Sequence, residues 1–159
     1  MNIKFSAAPV LAGLLSLLPL AAGCAGGQMT ALPNHAAFQK VVLGADKPVL
    51  VEFYKGACPT CILLDGPMDK LAQEYQGRVV VAKYQIMTSY FWGKDKQVKD
   101  AYDISVFPTV VLFVNGQAVK TWPMHYGLKE YRQAIDAALG STTAPATATV
   151  AGSQPAMQP

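Results

Sequence analysis

Apolar residues between positions 34 and 140 switch between two spacings: a helical one of three to four residues, and short unbroken β-rich runs. Asn34 is placed to cap a helix that carries Phe38, Val41 and Val42 on one face and stops at Gly44. Residues 49–54 (Val-Leu-Val-Glu-Phe-Tyr) have the length and composition of a buried strand. Leu64, Met68, Leu71, Ala72 and Tyr75 then recur at helical spacing until Gly77. Gly66-Pro67 within that pattern predicts a kink, because proline removes a donor and clashes with the preceding turn. Residues 79–86 form a second strand and residues 96–102 a short helix. Residues 109–114 run into Asn115-Gly116, a dipeptide suited to a tight hairpin, and residues 117–122 return. Leu128, Tyr131, Ile135, Ala138 and Leu139 line one face of a closing helix. The order helix, strand, helix, strand, helix, hairpin, helix predicts a three-layer α/β domain, with helices on both faces of a small mixed sheet.

The two ends depart from this pattern. The chain has 159 residues, 52% of them apolar, and a mean hydropathy of +0.23, but much of that hydrophobicity is local. Residues 1–23 hold 15 apolar side chains and one charge, Lys4. A short positive start, an apolar stretch and then small residues outline a secretory leader. Pro9 and Pro19, with the shortness of the run, argue against a spanning helix of about 20 apolar residues. Ala21-Ala22-Gly23-Cys24 resembles the bacterial lipoprotein lipobox, in which the cysteine is lipid-modified and becomes N-terminal. That resemblance implies a cell-envelope lipoprotein facing the periplasm. Ala25, where many lipoproteins retained in the inner membrane carry aspartate, leans the expectation towards the outer membrane. Residues 141–159 carry no charge and no periodic apolar pattern, a composition that predicts disorder. The expected organisation is a leader at 1–23, a lipidated N-terminus and flexible tether at 24–32, a folded domain at 33–140 and a tail at 141–159.

Between leader and tail the charge is nearly balanced, with 12 basic and 10 acidic side chains and no basic stripe, which excludes a nucleic-acid footprint. Three cysteines allow one bridge, so a disulfide-stapled miniprotein is excluded too. With Cys24 acylated, Cys58 and Cys61 remain, in a compartment where disulfides persist. They flank Pro59-Thr60, just after a strand and at the first turn of a helix. The spacing brings two sulfurs within bridging range. Cys58 faces the unpaired N–H groups and positive end of the helix dipole, which stabilise the thiolate that attacks disulfides. Pro59 suits a first helical position, where its missing donor costs nothing. Cys61, one turn further in, is expected to be the more buried and to act as the resolving thiol. A zinc site would need four ligands, and His35 and His125 do not form a ligand-spaced pair. Covalent haem would need histidine after Cys61, where Ile62 stands. A purely structural bridge would close almost no loop and so stabilise little.

Glu52 stands alone in an apolar strand, six residues before Cys58. A buried carboxyl without a partner has its charged form disfavoured, and such a group can accept the Cys61 proton or return one. Lys83, also within an apolar run, is a candidate neighbour that tunes it. For both, the competing expectation is a strand end or an exposed face.

Together these residues resemble the thioredoxin family, over about residues 34–139. Glu52 and Cys58 match the spacing of the family's buried acid and nucleophilic cysteine. Val81-Ala82-Lys83 resembles the segment that carries the lysine beside that acid, and residues 71–77 resemble a further family segment. Val106-Phe107-Pro108-Thr109 is similar to the family's cis-proline loop, which implies that Phe107 and Pro108, with Pro59 and Thr60, line the groove for an extended substrate. Proline is the residue for which a cis peptide is energetically accessible.

Several positions depart from the family. Ala57 replaces the usual tryptophan before the first cysteine, and Pro67 arrives one place late. Pro59-Thr60 resembles the dipeptide of some cytochrome c maturation thiol reductases and lacks the histidine of strong oxidants. About six extra residues, including Tyr90, Phe91 and Trp92, lengthen one loop, and residues 122–127 fit the family's glycine-bearing substrate loop poorly. Two functions follow from the resemblance. One is a membrane-tethered thiol–disulfide oxidoreductase that reduces client disulfides, needs no cofactor, and is re-reduced by a membrane electron donor of the thiol–disulfide interchange kind. The other is a binding module that recruits partners through the 90–92 aromatics, its cysteines idle in a structural bridge.

Overall fold

The observed sheet begins with a strand that the hydrophobic pattern does not announce. The computed structural model describes residues 27–88 and 93–142. Cys24, the leader, the 90–92 aromatics and residues 143–159 lie outside them. Within the segment expected to be a tether, β1 (Thr30–Leu32) pairs in parallel with β3 (Val80–Met87), Leu32 opposite Tyr84. Three residues are too few to show a period of two, and only Leu32 is buried. The edge of β3, which offers unpaired backbone groups, makes this segment a strand. The residues before it are fastened as well. The Met29 N–H donates to Asp69 Oδ1 at 2.9 Å, and Gly27, with φ +45°, packs so closely on Gln73 that a Cβ would overlap it.

β2 (Val49–Lys55) lies at the centre of the strand order β1-β3-β2-β4-β5. It runs parallel to β3 and antiparallel to β4 (Thr109–Val114), which forms a hairpin with β5 (Gln117–Pro123). Asn115 and Gly116 at its turn have φ of 50° and 74°, the left-handed pair of a type I′ turn. A Cβ at Gly116 would fall 2.5 Å from the Leu43 carbonyl oxygen.

Alternation along β2 sorts its side chains to two cores. Val49, Val51 and Phe53 face α1 (His35–Phe38), the π-helical turn Gln39–Leu43 that extends it, and α3 (Lys96–Ala101). Phe38 is central there, with rings of Phe53, Tyr84, Tyr102 and Phe113 at centroid distances of 5.4–6.0 Å. Leu50 faces the other side, covered by α2 (Pro59–Glu74) and α4 (Leu128–Thr142) through Leu64, Met68, Leu71 and Ile135. The period of two therefore turns Glu52 towards α2 rather than towards the aromatic core. Lys83, opposite Glu52 in the β2–β3 register, shares that face.

α2 is helical from Pro59 to Glu74, with Pro67, where the sequence predicts a kink, inside it. The carbonyl deprived of its donor is that of Leu63, a residue 71% exposed, so water can take the place of the missing bond.

One buried charge fastens α3 to the sheet. Asp95 caps α3 by accepting from the Val98 N–H (3.0 Å), and it also accepts from the Tyr84 hydroxyl (2.6 Å) and His35 Nδ1 (2.8 Å). Burial opposes its ionisation, but these hydrogen bonds outweigh that cost and hold the carboxyl below its ordinary value of 3.8. Asp95→Ala strands the buried Tyr84 hydroxyl and the Val98 N–H, and is expected to lose about 2–4 kcal/mol in urea unfolding at pH 7. A carboxyl whose folded value is depressed adds stability above its unfolded value and loses it as pH falls through the folded one. The gap between wild type and Asp95→Ala should therefore narrow as unfolding is repeated below pH 4.

Candidate active site

The site lies where β2 hands over to α2. After Lys55 the chain turns through Gly56, whose N–H donates to the Met87 carbonyl (2.9 Å), and Ala57, which adopts φ 52°. A left-handed non-glycine residue is held against a cost of about 1–2 kcal/mol, a feature common beside functional groups. Cys58 follows in extended conformation as the N-cap of α2, and Pro59 opens the helix. The Cys58 Sγ accepts from the Cys61 N–H at 3.3 Å. The Thr60 hydroxyl lies 3.2 Å from the same sulfur and donates to it, since a disulfide sulfur carries no hydrogen.

Cys58 and Cys61 are joined as a disulfide with Cα atoms 5.3 Å apart. The sequence predicts Cys61 to be the deeper of the two, but each residue is 4% exposed. The Ala57 turn folds Cys58 down onto the helix end, so its sulfur is shielded as well.

Behind the disulfide is a crevice of about 90 Å³ lined by Glu52, Cys58, Cys61, Ile62, Asp65 and Lys83 among others. Glu52 is 1% exposed, and neither carboxylate oxygen has a hydrogen-bond partner among the described residues. Burial, and secondarily the charge of Asp65, raise its pKa from 4.5 to about 7, while Lys83 works in the opposite direction. Lys83 does not reach Glu52 by hydrogen bond. Its Nζ donates to Asp65 Oδ1 at 3.1 Å. Burial opposes charge on Lys83, and the bond and charge of Asp65 overcome it and hold the ammonium above its ordinary value.

The structure thus brings Glu52, Cys58, Cys61 and Lys83 to one crevice, with Pro59 and Thr60 at its helical rim. Phe107 and Pro108 sit beyond β4's first residue, on the same end of the sheet, since Thr109 pairs with Phe53. They are not among the residues lining the crevice. The Phe107–Pro108 peptide is cis, and the Pro108 carbonyl accepts from the Met124 N–H at 2.9 Å. Met124 belongs to the segment that fits the family's loop poorly; it has φ 50° and stays largely exposed. Ile62, Leu63, Val106 and Tyr126 also expose apolar surface in the segments on this end.

Asp65 is the site residue that the sequence reading missed. Its one signal is position: four residues after Cys61, it occupies the same helix face one turn further on. A larger groove of about 450 Å³, between β5 and α4, is lined by Leu112, Val119, Ala134 and Ala137 among others and holds no thiol or carboxylate.

Residues 29–137 match the thioredoxin family model. The chain is similar to the thioredoxin of Rickettsia felis, 32% identical over 103 residues, which are 65% of this chain and 90% of that protein. It is also similar to thioredoxin 1 of a Nostoc strain, 33% identical over 86 residues, 54% of this chain and 75% of that one. Among solved structures, a mutant thioredoxin from Halobacterium salinarum aligns with a TM-score of 0.60 at 23% identity, covering 74% of this chain and 96% of that one. The thioredoxin of Malassezia sympodialis aligns at 0.58 with 22% identity, covering 71% and 92%. These two structures show the same fold.

An acid whose folded pKa lies above its unfolded value binds its proton more tightly in the fold, so stability falls as pH rises between the two. For Glu52, a rise from 4.5 to about 7 corresponds to about 3 kcal/mol lost across that interval, with little change above it. Glu52→Leu should therefore lose less stability than wild type between pH 5 and 8, and exceed it at pH 8. Urea midpoints at the two pH values measure this, and parallel changes in both proteins would contradict an ionisable, partnerless Glu52.

Proposed function

Because this chain belongs to the thioredoxin family, whose members exchange thiols and disulfides, we propose that it is a membrane-tethered reductase of protein disulfides outside the cytoplasm. The observation that carries the redox reading is the Cys58–Cys61 disulfide at the N-terminus of α2, with a partnerless carboxyl behind it.

In the reduced protein, the Cys58 thiolate is stabilised by the helix end and the Cys61 N–H, the donor already aimed at its sulfur. It attacks one sulfur of a client disulfide. A bond forms between Cys58 and that sulfur, and the other client sulfur leaves as a thiolate. Glu52 takes the proton of Cys61, whose sulfur then attacks Cys58 Sγ. The Cys58–Cys61 bond closes and the second client thiolate departs. Two electrons have moved from protein to client, and the client's two thiolates take up protons, one supplied through Glu52 and one from solvent. The client is held as an extended segment along Phe107 and Pro108, against the apolar surface of Ile62, Val106 and Met124. A dithiol donor then reduces Cys58–Cys61 by the same exchange in reverse, and a membrane protein of the thiol–disulfide interchange kind suits that role.

Net reduction is supported by the Pro59-Thr60 dipeptide. Neither residue carries a positive charge, so nothing between the cysteines favours the thiolate pair over the disulfide as an imidazolium would. The apolar leader and the Gly23-Cys24 junction support anchoring by acylated Cys24, in the cell envelope facing the periplasm. Only Ala25 and Gly26 separate Cys24 from Gly27, which is packed on α2. An anchor there holds the domain close to its membrane.

Insulin reduction with dithiothreitol as donor should fall to the uncatalysed rate for Cys58→Ser. Equal rates for variant and wild type would leave a scaffold whose cysteines only bridge. Cys61→Ser is expected to accumulate mixed disulfides with its clients. In a bacterial host, wild type should take up labelled palmitate and Cys24→Ala should not, with its insulin reductase rate unchanged. A protein that takes up no label with Cys24 in place has no lipid there.

A further inference from the structure

Glu52 and Lys83 are register partners on adjacent strands and point to the same face of the sheet, where opposite charges ordinarily meet. Here they do not. The Lys83 ammonium reaches outward to Asp65 at 3.1 Å, while both oxygens of Glu52 stay without a donor. The side chains of Lys83 and Asp65 are 31% and 40% exposed, so their pair closes the mouth of the crevice, whereas Glu52 lies at its base. A cation brought from that pair to Glu52 would turn it into a permanently ionised carboxylate, a poor acceptor for the Cys61 proton.

We propose that Asp65 is a positioning residue of the redox site: by holding the Lys83 ammonium at the crevice mouth, it withholds the cation from Glu52 and leaves that carboxyl able to exchange the Cys61 proton. The proposal rests on the proton role given to Glu52 above. The arrangement has the sign the chemistry requires. The base must be neutral enough to hold a proton between cycles, yet able to ionise near neutral pH. The negative charge of Asp65 and its capture of Lys83 act in the same direction on Glu52. Among the described residues, the other ionisable groups lining the crevice with Glu52 are Tyr54 and Lys55 of β2 and the cysteines of α2, and Tyr131 on α4 has its hydroxyl pushed up by burial and by the Glu52 charge. None of them bonds to the carboxylate.

The direct test is a carbon-13 NMR titration of the Glu52 carboxyl in the oxidised protein, which reports on this residue without any turnover. In Asp65→Asn the midpoint is expected to move towards acid by roughly one unit, the usual effect of a close cation on a carboxyl. Asp65→Glu should restore the wild-type midpoint. Adding Lys83→Met to Asp65→Asn should return most of the shift, because the cation is then gone. The acid limb of the pH profile for insulin reduction should move with the titration in each variant. An unmoved Glu52 midpoint in Asp65→Asn, or one moved towards alkali, overturns the proposal. Failure of the underlying proton role looks different: Glu52→Leu would then reduce insulin with an unaltered pH profile, whatever the titration of Asp65→Asn shows.

Discussion

A helix leaves the N–H groups of its first turn without intrahelical partners, and in α2 the cap that answers them is a sulfur. Cys58 takes the Cys61 N–H on Sγ, and its carbonyl takes Cys61 and Ile62, so the residue that starts the helix is also one half of the disulfide. Pro59 opens the helix where no donor is needed, and the Ala57 turn sets the angle at which strand becomes helix. The chemistry of the site follows from this handover. A thiol placed there is favoured as thiolate, and the second sulfur, three residues on, is within bonding reach.

The surroundings carry costs that no gain in stability explains. Glu52 occupies a position where an apolar side chain would pack without desolvation, and it gains no hydrogen bond in return. Ala57 and Met124 hold left-handed backbone on either side of the site, one before Cys58 and the other bonded to the Pro108 carbonyl. Two of the four left-handed non-glycine residues among the described residues, and an unsatisfied carboxyl, thus lie at this end of the sheet. Elsewhere polar groups are matched: Asp95 serves three donors, Tyr75 bonds Asp136, and Arg132 holds Glu74.

Legibility followed chemical contrast. Cys58, Cys61, Glu52 and Lys83 stood out because each interrupts a run of a different character, two sulfurs at a helix start and two charges within apolar strands. Asp65 did not, because an acid on a helix with Asp69 and Glu74 further along looks like any solvated face. The strands of the central sheet and the hairpin were readable for the same reason, since β2, β3 and β4 are apolar runs closed by turn residues. β1 was not, being three residues long and made a strand by its neighbour.

Local order and residue type alone were enough for the succession of helices and strands, the sulfur pair at a helix start and the odd carboxyl in an apolar strand, because each depends on spacing along the chain. Only the assembled sheet decided which face Glu52 shares and with whom. Strand register set Lys83 opposite it, and helix packing set Asp65 at the mouth. The contest between two carboxylates for one ammonium is a matter of ångströms between elements distant in sequence, and no periodicity encodes it. The equal burial of the two cysteines and the fastening of Gly27 and Met29 to α2 are of the same kind. Each is a contact that exists only once separate segments have been brought to one place.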